Sequence, residues 1–156
     1  MIDKLNLKEI IFQLIPVFKE AGSIASELQK KGLEIKTKED LSPVTNGDLK
    51  VNELITAAIL KLTPGTKIIS EETVDLKEKN FEKNFWLIDP IDGTKEYIAG
   101  KDEYTLNAAL VINSVPVLGL VGVPKKKRLF FSYSPGESYL IEENVTKKIS
   151  CKKQQP

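Results

Sequence analysis

The chain contains no histidine. Triads built on imidazole, phosphohistidine chemistry and imidazole-rich zinc sites are therefore excluded. Acid–base work must fall to carboxylates, hydroxyls or metal-bound water. A single cysteine, Cys151, leaves no internal disulfide. Neither sign of charge dominates: 23 Lys plus Arg stand against 22 Asp plus Glu, a net +1. That balance gives no electrostatic reason to bind a nucleic-acid polymer or a membrane surface. No run of about eighteen apolar residues occurs, so no membrane span is expected. The N-terminal residues Met1-Ile-Asp-Lys-Leu-Asn6 lack the basic start and apolar middle of a signal peptide, and a cytoplasmic location is expected. No internal repeat or low-complexity segment is visible. The 156 residues are 41% apolar and 29% charged, enough for one globular domain with its own core.

Periodicity predicts a helix from about Leu5 to Lys31. Ile10, Ile11, Leu14, Ile15, Phe18, Ala21, Ile24, Ala25 and Leu28 recur at helical spacing, and Gly32 is a C-terminal stop. Pro16 lies inside the pattern and predicts a kink or break. Leu33–Thr37 alternates like a short strand. Ser42–Asp48 reads as a turn into a second helix, with Thr45 and Asp48 spaced as a capping pair. That helix carries the stripe Val51, Leu54, Ile55, Ala58, Ile59 and Leu62, and Pro64-Gly65 ends it.

Lys67–Ser70 reads as a strand that delivers Glu71 and Glu72. Residues 73–84 read as surface loop or one helical turn, and Phe85–Asp89 as a buried strand. Residues 93–99 read as a short helix closed by Gly100. From Tyr104 the pattern changes to strands over Thr105–Ile112, Val115–Val123, Arg128–Tyr133 and Ser138–Ile141, separated by Asn113-Ser114, Pro124 and Pro135-Gly136. Helices first and an antiparallel meander afterwards predict an α+β fold, two long helices on a mainly antiparallel sheet. Residues 1–150 are expected to form the domain, and 151–156 a disordered tail.

The most informative stretch is Trp86-Leu-Ile-Asp89-Pro-Ile-Asp92-Gly-Thr94, taken with Ser70-Glu71-Glu72. Pro90 interrupts a strand ladder, so the chain is expected to turn there. A turn can aim the Asp89 and Asp92 carboxylates and the Ile91 carbonyl at one point. Hard oxygen ligands of this kind select Mg²⁺. Gly93-Thr94 then starts a helix whose free N–H groups suit a phosphate. Each residue also has a plainer use. Asp89–Gly93 could be only a turn with a helix cap, Glu71-Glu72 a solvated acidic pair, Asp48 a cap, and Thr94 a helix-start residue. Lys125–Arg128 reads as a solvated turn with a weak hint of anion binding. Asn144-Val-Thr146 matches a glycosylation sequon that has no meaning in a cytoplasmic chain.

These segments, with Ser42-Pro-Val-Thr45 followed by Asp48, resemble the signature of the inositol monophosphatase superfamily of lithium-sensitive, Mg²⁺-dependent phosphatases. The similarity runs through nearly all 156 residues. The continuation Lys95-Glu96-Tyr97 and Glu103-Tyr-Thr-Leu-Asn107 is most similar to the 3′(2′),5′-bisphosphate nucleotidases, which hydrolyse adenosine 3′,5′-bisphosphate to AMP. Inositol monophosphatases usually carry Asn-Phe-Val-His after the Gly-Thr. The resemblance implies an N-terminal sugar-phosphatase-type domain with Glu71, Asp89, Asp92 and the Ile91 carbonyl as metal ligands, assisted by Glu72. It implies two or three Mg²⁺ ions and inhibition by Li⁺. Thr94 with Glu71 would position the attacking water, Asp48 would support the catalytic group, and Asp92, Gly93 and Thr94 would hold the substrate phosphate.

Members of that superfamily have a second α/β domain. It adds a metal aspartate from a Trp-Asp motif and most contacts to the nucleoside or inositol. Here Trp86 is the only tryptophan. The resemblance therefore implies the N-terminal domain alone, acting on a small phosphate ester with impaired activity. A homodimer or a separately encoded C-terminal half could complete it. An inactive metal-binding remnant, a dimeric binding domain or an inositol monophosphatase are the alternatives.

Overall fold

The computed structural model of the protein describes residues 6–73 and 82–151. Helix α1 runs over Leu7–Lys31. Asn6 caps its start by accepting the Glu9 N–H, and Gly32 at φ 107° ends it. The helix is unbroken at Pro16, against the sequence expectation of a break. Pro16 and Phe12 both lie on the exposed side, so water can serve the Phe12 carbonyl that the proline cannot. Meanwhile Ile10, Ile11, Leu14, Phe18, Ala21 and Ala25 hold the other face in the core.

A two-stranded hairpin, β1 (Ile35–Thr37) with β2 (Pro43–Thr45), leads into helix α2 (Asn46–Leu62). Pro43–Thr45 is thus strand where a turn was expected. The predicted capping pair is present as a reciprocal box between Thr45 and Asp48. Then follow β3 (Lys67–Ser70), β4 (Phe85–Asp92), the short helix α3 (Thr94–Ile98), and β5 (Thr105–Ile112), β6 (Val115–Val123), β7 (Arg128–Ser134), β8 (Glu137–Glu142) and β9 (Val145–Lys148). A 3₁₀ turn over Pro124–Lys126 joins β6 to β7. The expectations for residues 74–81 and for the tail 152–156 lie outside the described residues.

Strands β3 to β9 form one sheet in sequence order. Every pair is antiparallel except β3 with β4, which run parallel. The expected α+β class holds. Strand β9 is additional: Val145-Thr-Lys-Lys148 is exposed throughout, and its polar composition hides an edge strand. It is reached through a two-residue turn in which Glu143 and Asn144 both have positive φ, the hairpin geometry that matches strand twist. Lys125 meets Asp102 at 3.6 Å and Arg128 meets Glu142, so that basic run is a surface turn with local partners.

Helices α1 and α2 pack on each other and on one sheet face. Trp86, Ile88, Leu106, Leu110, Leu120, Leu129 and Phe131 point into that core. Trp86 is fully buried and its indole N–H donates to Thr63 Oγ1 at 3.0 Å, which removes the cost of burying that donor. The alternate residues of β4 to β6 face the other way. Leu87 is 50% exposed and Val121 39% exposed on that side. Asp89 and Asn107 share that face in register with them.

Candidate metal and phosphate centre

The site is assembled at the C-terminal end of β4, and a bulge makes it possible. Asp89 pairs with Asn107 and Asp92 with Thr105. Three steps along β4 therefore match two along β5. In a regular strand, residues three apart point to opposite faces. The one extra residue reverses that parity and returns Asp92 to the side of Asp89. The chain thus does not leave the ladder at Pro90, as expected from sequence; it bulges and continues to Asp92. Strand β3 has its last pairing at Ser70 with Ile88, so Pro90 has no β3 neighbour that would need its N–H.

Glycine is required directly afterwards. Gly93 has φ 97°, and a Cβ there would lie 2.8 Å from the Glu103 carbonyl oxygen. The backbone reversal starts α3 and brings Thr94 over the first turn of α2. The Thr94 hydroxyl lies 3.2 Å from Asp48 Oδ1 and 3.1 Å from the Ile91 carbonyl. Asp48 is fully buried. Its other oxygen, Oδ2, accepts from Thr45 N at 2.8 Å and from Thr45 Oγ1 at 2.5 Å. One carboxylate thus caps α2 and holds Thr94. Tyr97 secures the contact: its hydroxyl donates to Ala25 O at 2.6 Å, and its ring leaves no room for a Cβ at Gly47.

Glu71 and Glu72 arrive from β3, with Glu71 N donating to Ile88 O at 3.0 Å. Buried Ser70 donates to Asn52 Oδ1 at 2.7 Å and fixes the turn. Sequence reasoning missed Lys38, in the β1–β2 loop. Its Nζ donates to Glu71 Oε1 at 3.0 Å and lies 2.8 Å from Glu72 Oε2, where it makes an ion pair without hydrogen-bond alignment. No local signal marks Lys38; only the hairpin fold brings it here. Asn107 was also unassigned, and it donates weakly to Asp92 Oδ2 at 3.4 Å.

The electrostatics follow from burial and crowding. Burial, then the charges of Glu71, Asp92 and Asp48, push the Asp89 carboxyl up to about 6. Burial also pushes Glu72 up to about 7 against the opposing pull of Lys38, with Glu71 and Asp48 adding to the rise. Burial works against the Lys38 ammonium, but its contacts with Glu72 and Glu71 outweigh it and hold the group above its ordinary value. Among the described residues, no three acidic side chains close into a metal-gripping set as they stand. They share a field, and Lys38 draws two of them aside. Two observations nevertheless fit a hard cation. Asp89 Oδ1 and Glu72 Oε1 are buried without hydrogen-bond partners, and every candidate donor is oxygen.

A cleft of about 340 Å³ opens beside Asp92 and Gly93, lined also by Tyr104, Thr105, Val123 and Lys126. A cleft of the same volume between α1 and the β6–β7 turn contains none of these acidic residues and has a more apolar wall. Of the candidate residues, Asp92 and Gly93 line the first.

Two helices over one face of this sheet, with Asp89 and Asp92 on a bulge and Thr94 held by a buried carboxylate beside them, define an α+β domain of the sugar-phosphatase type. The chain belongs to the inositol monophosphatase family: the model of the "Inositol monophosphatase family" matches residues 6–156. Over 127 residues it is 35% identical to the 3′(2′),5′-bisphosphate nucleotidase CysQ of Salmonella typhimurium, covering 81% of this chain and 51% of that protein. The crystal structure of CysQ from Bacteroides thetaiotaomicron is 34% identical with a TM-score of 0.68, over 88% of this chain and 50% of that one. An IMPase/NADP phosphatase solved with Mg²⁺ and phosphate has the same fold at 20% identity, with a TM-score of 0.74 over 86% of this chain and 51% of that one. The chain spans about half the length of the curated relatives it matches. Among the described residues, no helix is long and apolar enough to cross a membrane.

Proposed function

We propose that the chain forms the metal- and phosphate-binding part of a Mg²⁺-dependent phosphomonoesterase that removes the 3′-phosphate of adenosine 3′,5′-bisphosphate. The observation that carries this is the Asp48–Thr94–Ile91 arrangement beside Asp89 and Asp92, in a chain whose curated relatives are bisphosphate nucleotidases. Glu71, Asp89, Asp92 and the Ile91 carbonyl would hold the metal, with Glu72 in support. A bound Mg²⁺ would offset phosphate charge and make water a better nucleophile.

The chain's own groups do the rest. When Thr94 donates its proton to Asp48 Oδ1, its lone pairs are free to accept from a water and fix its direction. Backbone N–H groups of Gly93 and Thr94, at a helix start without intrahelical acceptors, would hold the phosphate oxygens. Hydrolysis breaks the P–O3′ bond; the water oxygen ends on phosphorus and a proton on the leaving 3′-oxygen. No covalent enzyme intermediate is required.

A second reading concerns completeness. The sheet face that carries Asp89 also exposes Leu87 and Val121. Apolar side chains left exposed on a sheet face favour a cover. A second copy, or a polypeptide corresponding to the rest of the relatives' length, would cover it and enclose the leaving group. On this reading the 156-residue chain alone binds metal with at most trace turnover. Steady-state phosphate release by the purified chain with saturating Mg²⁺ tests both. Release from adenosine 3′,5′-bisphosphate in preference to inositol 1-phosphate supports the substrate assignment. Preference for the inositol ester refutes it.

A further inference from the structure

We propose that Lys38 is a built-in counter-cation that holds Glu71 and Glu72 and competes with a divalent metal for them, so that the β1–β2 hairpin opposes loading of the site. The proposal rests on the metal site argued above. The Glu72 side chain is 1% exposed, so this is no surface ion pair of negligible strength. A carboxylate buried there is held charged only by a positive partner. Within the described residues, Lys38 is the cation that touches it, and the same ammonium also takes Glu71.

The carboxylates that feel Lys38 come from three places: Glu71 and Glu72 after β3, Asp89 on β4 and Asp40 on its own β1–β2 loop. Four carboxylates against one ammonium leave a negative surplus that attracts a divalent cation. The ammonium also lies where it would repel that cation. Its carrier is suited to yielding. Strand β1 is exposed along its length and makes only three pairings with β2, and the loop turns through Leu41 at φ 68°. An element with so little buried contact moves at small cost. Release of Lys38 would return Glu71 and Glu72 to the group formed with Asp89 and Asp92.

The test is Mg²⁺ titration by calorimetry, with thermal melts in chelator, on the parent chain, Lys38→Gln and Lys38→Arg. A unit charge a few ångströms from a divalent ion in a water-accessible site changes affinity by roughly tenfold. Lys38→Gln should bind Mg²⁺ roughly tenfold more tightly than the parent and melt lower than the parent without metal. Lys38→Arg, which keeps the charge, should bind like the parent. Equal or weaker binding in Lys38→Gln, with the parent binding normally, overturns the counter-cation role and leaves the metal site intact. A lower melt without tighter binding is the mark of a merely structural contact and overturns it too. Tighter binding in Lys38→Arg also counts against it. No Mg²⁺ heat in the parent or in Lys38→Gln removes the metal reading, and this proposal falls with it.

Discussion

Replacing Asp48 separates two duties that one side chain performs. Asp48→Ala removes a reciprocal helix cap, worth about 1–2 kcal/mol. It also leaves Thr45 N and Thr45 Oγ1 without their acceptor in a place where Thr45 is 1% exposed. Buried donors stranded in this way cost about 1–3 kcal/mol. Loss of the Asp48 charge relieves Asp89 and Glu72, which it pushes up, and returns part of that cost. The cap and the stranded Thr45 N–H are one interaction, so the net is about 1–3 kcal/mol, or roughly 3–10 °C in melting temperature for a domain of this size. Asp48→Asn behaves differently. Its amide oxygen can still serve the Thr45 N–H, so it should lose no more than about 1 kcal/mol. Its NH₂ would then face Thr94 and reverse that hydrogen bond, so the hydroxyl accepts where it used to donate. In an active assembly kcat should fall while the fold stays. Differential scanning calorimetry of both variants in chelator, paired with phosphate release, reads the two duties apart. If Asp48→Ala melts within about 2 °C of the parent, where surface substitutions usually fall, the cap carries no weight and the reasoning fails.

Mg²⁺ should raise the melting temperature by mass action, and Asp92→Asn should lose most of that gain with its metal-free melt preserved; an unchanged response removes Asp92 from the metal site. Thr94→Ala in an active form should cut kcat by roughly a hundredfold with a much smaller change in KM if Thr94 orients the water and the phosphate seat is backbone, as proposed. Gly93→Ala should destabilise and distort the site together, because positive φ and the 2.8 Å approach to Glu103 O both exclude a Cβ; a parent-like melt would refute the close approach. Asp89 and Glu72 have folded values of about 6 and 7, above ordinary carboxylate values of 3.8 and 4.5. Their stabilising contribution is therefore full when both are protonated and is lost as pH rises from about 4 to about 7. Mg²⁺ binding near pH 6 should accordingly release protons, seen as a buffer-dependent heat; proton-neutral binding there would refute the raised values.

Much of the frame was legible because it rests on local rules. The stripe from Ile10 to Leu28 and the capping pair Thr45–Asp48 state their helices in the chain itself, and β5 and β6 have the bounds that alternation predicts. What was hidden depends on partners distant in sequence. Val145–Lys148 has no apolar alternation and becomes a strand only because β8 offers it an edge. Lys38 sits among Lys36, Glu39 and Asp40, and nothing local distinguishes it from them. The parallel pairing of β3 with β4 depends on a connection that composition alone presents as loop.

The bulge brings Asp89 and Asp92 to one side by a route other than the one expected from sequence. From sequence, Pro90 meant that the strand must end, because a proline cannot serve a ladder on both sides. That rule applies only where both neighbours are present. Strand β3 stops opposite Ile88, so β4 is free on that side when it reaches Pro90. The antiparallel partner β5 then absorbs one extra residue, and Asp89 and Asp92 reach a common side without leaving the sheet. This matters for the chemistry. A turn would have put Asp92 on a loop, whereas the bulge keeps it next to a paired strand, with Gly93 locked by the backbone of residue 103 and Thr94 held by a buried carboxylate. If these residues hold phosphate and metal as proposed, such a frame would cost them little freedom on binding, as hydrolysis by positioning requires.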